Sequence, residues 1–197
     1  GHGRGVALVY LRRADRAFDA AARLPSHPAP PGTGTLVLSG SNSYAGGTLV
    51  GQGHLAVTGG AALLDAGAVS VASGATLDVL ADETLGALTG GGTVSVAAGQ
   101  VLRAGGGDAT SSFGGVIDGD GALLKLGTGT LTLSGSNLVR GGTSVSDGVL
   151  AVASGAAWLD TGAITVASGS VLNVSASETI GALSGSGTVS LAGGQVL

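Results

Sequence analysis

The chain has 197 residues, 44% of them hydrophobic and only 10% charged, with forty glycines, five aromatics and no cysteine. That balance excludes a charge-rich disordered chain, which cannot bury enough apolar surface to offset its conformational entropy, and the absence of Cys excludes disulfides and thiolate metal sites. Residues 1–31 carry five Arg (Arg4, Arg12, Arg13, Arg16, Arg23) against Asp15 and Asp19, a net +3. Residues 32–197 carry three basic and ten acidic groups, a net −7, so the body has no electrostatic reason to bind nucleic acid or an anionic membrane face.

The first segment, GHGRGVALVYLRRADRAFDAAARLPSHPAPP, spans residues 1–31 and has a helical patch from Leu8 to Leu24 followed by a Pro-rich exit. It lacks the basic, long apolar and small-residue order of a signal peptide. Two readings stay open for this irregular or partly helical head: an amphipathic cap or linker, or a segment foreign to the body. All four prolines (Pro25, Pro28, Pro30, Pro31) precede residue 32 and none follows, as an unbroken stack of hydrogen-bonded strands requires.

From Gly32 the sequence repeats itself. Residues 32–102 realign without a gap on 127–197 at an offset of 95, with about two-thirds of positions identical, and 103–126 join the two copies. Such self-similarity marks stacked architectures, whose units bury their apolar faces only against neighbours. The second copy stops at Leu197, where the first runs on into Arg103-Ala-Gly-Gly-Gly, so the chain reads as cut in mid-phrase.

Within each copy Gly-x-aliphatic-x-aliphatic recurs, beginning at Gly34, Gly53, Gly74 and Gly92 and again at Gly129, Gly148, Gly169 and Gly187, with shorter strands such as Ala68–Ala72, Ile164–Val166 and Ile180–Leu183 between them. Alternation of period two puts the aliphatic side chains on one face of a strand, and Gly, Ser, Asn and Asp clusters break the strands every few residues. Coils of near-constant length, each too small to hold a core alone, stack as a parallel β-helix, expected here to be right-handed with roughly seven or eight coils about 4.8 Å apart. No apolar run approaches the roughly 18–20 residues that a membrane-spanning helix needs.

The phrase Phe113-Gly-Gly-Val-Ile117-Asp-Gly-Asp-Gly-Ala-Leu-Leu-Lys125-Leu-Gly-Thr-Gly-Thr-Leu131-Thr-Leu133-Ser-Gly-Ser-Asn137, continued by Gly141-Gly-Thr143-Ser-Val145, resembles the autotransporter-associated β-strand repeat. The first copy keeps the later half of the phrase at Gly32–Val50, including Asn42 and Tyr44. This resemblance implies the passenger region of a Gram-negative type V secreted protein: a surface β-helix on the outer side of the outer membrane, exported through a C-terminal barrel of the same parent chain. It implies a non-catalytic stalk that extends a surface module and aids export. An adhesin or self-associating module, with a host surface or another copy as partner, is the alternative, and a polysaccharide lyase or hydrolase a lesser one.

The residues offer little chemistry. A glycan-cleaving site needs clustered carboxylates and a base, and the closest carboxylate pair is Asp118 and Asp120; the further oxygen ligands of a calcium loop are missing, so both read as turn residues. His54 is the only His of the body, and Val149 replaces it in the second copy, as expected of a tolerant exposed site. Glu83 with Glu178 and Asp65 with Asp160 recur in both copies, which favours a repeated turn role over catalysis. Asn42 and Asn137 occupy the same phrase position and are expected to hydrogen-bond turn backbone, with Gly47 and Gly142 as turn glycines. Trp158 takes the place of Leu63 and is expected on the outer wall. No cofactor or metal is expected, since Rossmann, Walker and nucleophile-elbow motifs are all missing.

Overall fold

A computed structural model describes residues 8–11, 34–42, 46–154, 158–159 and 161–197. Tyr44, Asp160 and the head beyond residues 8–11, including its prolines and most of its helical patch, lie outside the described residues. At Leu8–Leu11 the chain is a strand instead of a helix, running antiparallel to Thr48–Gln52. Unpaired edge groups of a sheet accept any chain that offers partners, and this outweighs local helical periodicity.

The body is a parallel β-helix whose coils have three strands, so its strands form three faces. The first face stacks Thr35–Leu38, 53–57, Ala75–Val79, Thr93–Val96, Val116–Gly119 and Asn137–Val139. The second face stacks eight strands, beginning at 48, 69, 88, 111, 130, 149, 171 and 188, so one turn takes 17 to 23 residues. The third face stacks Glu83–Leu85, Val101–Ala104, Ala122–Lys125, Thr143–Val145, Ala163–Val166 and Ala182–Gly185. Thr48–Val57 is one ten-residue strand that turns a corner. Its first part pairs on the second face and its last part on the first, with Gly53 at φ +69 in the bend.

Period-two alternation sends one set of side chains inward. On the first face Leu36, Leu55, Leu77, Val94 and Ile117 lie in register one above another, and Leu38, Val57, Val79 and Val96 form a second ladder. These and the corresponding residues of the other faces make one continuous core, each fully buried aliphatic side chain contributing roughly 1.5–3 kcal/mol.

The two sequence copies do not occupy equivalent faces. Thr35–Leu38 lies on the first face, while its counterpart Thr130–Leu133 lies on the second. Likewise 48–50 lies on the second face and Thr143–Val145 on the third; Ala75–Val79 lies on the first and Val171–Val174 on the second. Between residues 35 and 130 the chain makes four whole turns, reaching 116, and then two-thirds of a fifth through 122 to 130. The second copy is therefore rotated by one face about the axis.

Candidate functional site

The buried polar groups are the natural place to look for chemistry. Asn42, Glu83 and Lys125 lie at inward positions beside backbone that no strand pairs, whereas Thr48, Asn137 and Thr143 lie in paired strands. Residues 61–63 form no strand, yet Ala62 and Leu63 are buried. From the coil on one side, Asn42 Nδ2 donates to the Ala62 carbonyl (2.9 Å) and to that of Gly40 (3.2 Å), and the Asn42 N–H donates to the Ala61 carbonyl (3.1 Å). From the coil on the other side, Glu83 accepts the Leu63 N–H on Oε1 (3.0 Å) and the Ala62 N–H on Oε2 (3.2 Å). The two side chains clamp 61–63 in place of a ladder, because unpaired buried backbone is costly.

Glu83 thus differs from its expected place in a turn. It opens a strand, is only 1% exposed, and pairs in register with Leu102. Burial raises its pKa from 4.5 to about 7 against the pull of the Leu63 and Ala62 N–H groups, and Asp65 nearby adds to the rise. A raised carboxyl pKa means that folding takes up a proton, so the stability from this group is greatest below pH 4.5 and falls as pH rises towards 7. A loss of about 3 kcal/mol over that window is expected. Urea unfolding from pH 4.5 to 8 measures it, and Glu83→Gln should flatten the profile; an unchanged profile in that variant would assign the dependence to another group.

In the second copy Asn137 lies in an inward ladder on the first face between Ile117 and Trp158, and its Nδ2 donates to the Gly135 carbonyl at 3.5 Å. Trp158 corrects the expectation of an outer-wall aromatic: it is 6% exposed and part of the core. Its counterpart Leu63 is also buried, so the ring follows the inward phase of its position. Asn137 Oδ1 and Trp158 Nε1, on neighbouring coils, are both buried without a partner among the described residues. Glu178, the counterpart of Glu83, is buried too.

Of the residues expected in turns, Asn42, Gly47, Asp120 and Gly142 stand between strands, whereas Asn137 opens a first-face strand and Asp118 lies within one, each following the period-two phase of its strand. Gly47 and Gly142 have φ of +76 and +87, a region costly for residues with a Cβ. Asp118 is on a first-face strand in register with Ser95, while Asp120 stands at the next corner and pairs with Arg140 at 3.1 Å, both side chains well exposed. The two carboxylates therefore do not act together. Two further contacts among the described residues also link neighbouring coils: the ion pair of Arg103 with Asp82 (2.8 Å), which holds the Asp82 carboxyl below its usual range, and the hydrogen bond between His54 Nδ1 and Asp78 (2.9 Å).

Chemically, the arrangement holds coils together. Carboxylates are spread over the faces, corners and interior, and among the described residues no group of three or more His, Cys, Asp or Glu is placed to hold a metal ion. The depression lined by Gly46, Gly47, Thr48, Leu49, Ala68 and Ser70 has no charged side chain. No helix among the described residues is long and apolar enough to cross a membrane.

Residues 32–57 and 123–152 match the family described as passenger-associated-transport-repeat. Both segments hold a Gly-Thr-Leu-x-Leu-Ser-Gly-Ser-Asn phrase and the Gly-Gly-Thr that follows it. Among curated proteins the chain is similar to the Adhesin BmaC autotransporter of Brucella suis biovar 1 (strain 1330), with 41% identity over 127 residues, covering 60% of this chain and 4% of that protein. The chain thus spans a small fraction of that relative's length. No solved structure matches it.

Proposed function

We propose, from the two segments that match the passenger-associated-transport-repeat family, that the chain is a non-catalytic stalk segment of an autotransporter passenger, displayed on the outer face of the outer membrane. The observation that carries this reading is the use made of the buried polar side chains: Asn42, Glu83 and Lys125 are all spent on backbone of their own or a neighbouring coil. A stack held in this way extends whatever module it carries without needing chemistry of its own. Its partner is the C-terminal outer-membrane barrel of the parent chain.

Export follows from the same architecture. Each coil completes its backbone pairing only against its neighbouring coils, so coils that fold outside the pore hinder back-sliding and bias transport outward. Deleting residues 127–197 from the parent protein should lower surface display several-fold, measured by antibody labelling of intact cells. Display at the parental level would remove the export role.

A second reading, adhesion, is favoured by the relative named an adhesin. The purified chain should then bind cells, glycans or itself.

A further inference from the structure

The chain contains three Asp-Gly steps, Asp118-Gly119, Asp120-Gly121 and Asp147-Gly148. At such a step the glycine nitrogen can close a five-membered ring on the aspartate side chain, because no Cβ stands in the way and ring closure within one chain replaces a bimolecular encounter. Whether it does so depends on what holds that nitrogen, and the three steps differ. Gly119 lies inside a strand paired with a neighbour on each side. The Gly121 N–H donates to the Val96 carbonyl (3.0 Å), while the Asp120 carboxylate pairs with Arg140 at 3.1 Å. Gly148 stands one residue before its strand, and its N–H donates to Oδ1 of Asp147 at 2.7 Å and to no backbone carbonyl among the described residues.

The surroundings of this corner favour reaction without unfolding. Asp147 is exposed to water. On either side of the step the chain is tied to the preceding coil, Ser146 through the Lys125 carbonyl (2.9 Å) and Val149 through that of Gly129 (3.2 Å), so the Asp147-Gly148 peptide is the unpaired part of a pinned corner. Its counterpart in the first copy is Gln52-Gly53, where the glycine keeps the same conformation, φ +69 against +65 at Gly148. The backbone of the corner therefore does not require an aspartate, and a Gln in that place would have to close a larger ring, which forms more slowly.

We propose that Asp147-Gly148 is a site of spontaneous covalent modification, at which the folded stack converts aspartate to isoaspartate through a succinimide. The Gly148 nitrogen attacks Cγ of the protonated Asp147 carboxyl; the N–Cγ bond forms, the Cγ–OH bond breaks, and the hydroxyl leaves as water with the nitrogen's proton. A second water then opens the ring. Attack at Cγ restores Asp147, whereas attack at the main-chain carbonyl carbon breaks its bond to the Gly148 nitrogen and leaves the chain running through the side-chain carbon. One water is lost and one gained, so mass is unchanged and no oxidant or cofactor takes part. The main-chain oxygen of Asp147 accepts a hydrogen bond from the buried Lys125 ammonium at 3.2 Å, and this donor draws electrons from the carbonyl whose hydrolysis gives isoaspartate. In the product the free carboxylate stands on that carbon, beside the ammonium, while the added main-chain carbon shifts the strand that follows, Val149–Val152, against its neighbours. The site depends on neither the stalk nor the export reading.

The test is ageing of the full 197-residue chain at physiological temperature and pH, folded in one sample and in urea in another, followed by digestion with a protease that cuts before aspartate but not before isoaspartate. In the folded sample, cleavage before residue 147 should be lost at unchanged mass at least about tenfold faster than before residue 118 or 120, where a ladder hydrogen bond must open first. In urea the three steps should convert at rates within about threefold of one another, since the ladder no longer distinguishes them. Asp147→Gln, which copies the first-copy corner, should remove most of the label that an isoaspartyl methyltransferase transfers to the aged folded chain, with the parental circular dichroism spectrum. The comparison of folded and unfolded parent chain decides the matter even if that variant fails to fold. Equal conversion at the three steps in the folded chain, conversion at 118 or 120 ahead of 147, or no conversion at 147 would each overturn the proposal.

Discussion

Replacing Lys125 with Met is expected to destabilise the solenoid by about 3 kcal/mol, and replacing it with Ala by about 4–5 kcal/mol, since the shorter side chain also leaves a cavity. Lys125 sits at an inward position of the third face, in register with Ala104 and Val145, and is fully buried. Its ammonium donates to the carbonyls of Leu126 (2.5 Å) and Gly127 (2.7 Å) at its own corner and of Asp147 (3.2 Å) in the next coil. Met fills the space and leaves three carbonyls without a donor, each a costly orphan when buried. Burial lowers the pKa of Lys125 and so works against the ammonium, while the Asp147 and Asp108 carboxylates oppose the drop; the three carbonyl acceptors offset that cost. Urea unfolding gives the free energy, and hydrogen exchange should show protection lost first in 122–152, because solenoid coils are stabilised by nearest neighbours. A loss under about 1 kcal/mol for the Met variant would show that water replaces the ammonium at these carbonyls.

Gly90→Ala is expected to cost at least about 3 kcal/mol, against about 1 kcal/mol for Gly99→Ala. Both glycines have positive φ, +110 and +74, so the comparison separates conformational strain from collision. A Cβ on Gly99 meets nothing, whereas a Cβ on Gly90 would run into the backbone carbonyl of Val71, its partner on the preceding coil. Neighbouring strands are fixed at about 4.8 Å, so relief requires the stack itself to part. Chemical denaturation of the two variants side by side measures the difference, and equal costs would mean that strain alone matters.

Much of the fold is legible in the amino-acid sequence. Leu36 with Leu38 and Val94 with Val96 announce the inward phase of their strands, and Pro-free, Gly-punctuated sequence announces stacking. Asn42 and Asn137 are readable as backbone-bonding residues because their phrase repeats without any acid, base or metal ligand beside them. Glu83 is harder to place because Ala-Asp-Glu-Thr looks like a turn, although its spacing of two from Leu85 puts it inward. Trp158 is hard to place for a similar reason: the swap from Leu63 looks like a change at the surface, and only the buried setting of both residues shows the position to be core. Whether a polar side chain at an inward position is tolerated depends on which backbone groups the adjacent coils present there, and those groups come from about 20 residues away.

Sequence alone determined local geometry. Gly90 and its counterpart Gly185 keep φ near +110 and approach a preceding-coil carbonyl in the same way, because turns and alternation are written in adjacent residues. Tertiary structure alone decided direction. Gly90 ends a second-face strand and Gly185 a third-face strand, since 95 residues wind four and two-thirds turns instead of a whole number. The angle at which a phrase meets solvent depends on the summed lengths of all the corners before it, a quantity no single phrase contains. It is that accumulated rotation which sets Val149 and Asn173 on the second face and their counterparts His54 and Asp78 on the first.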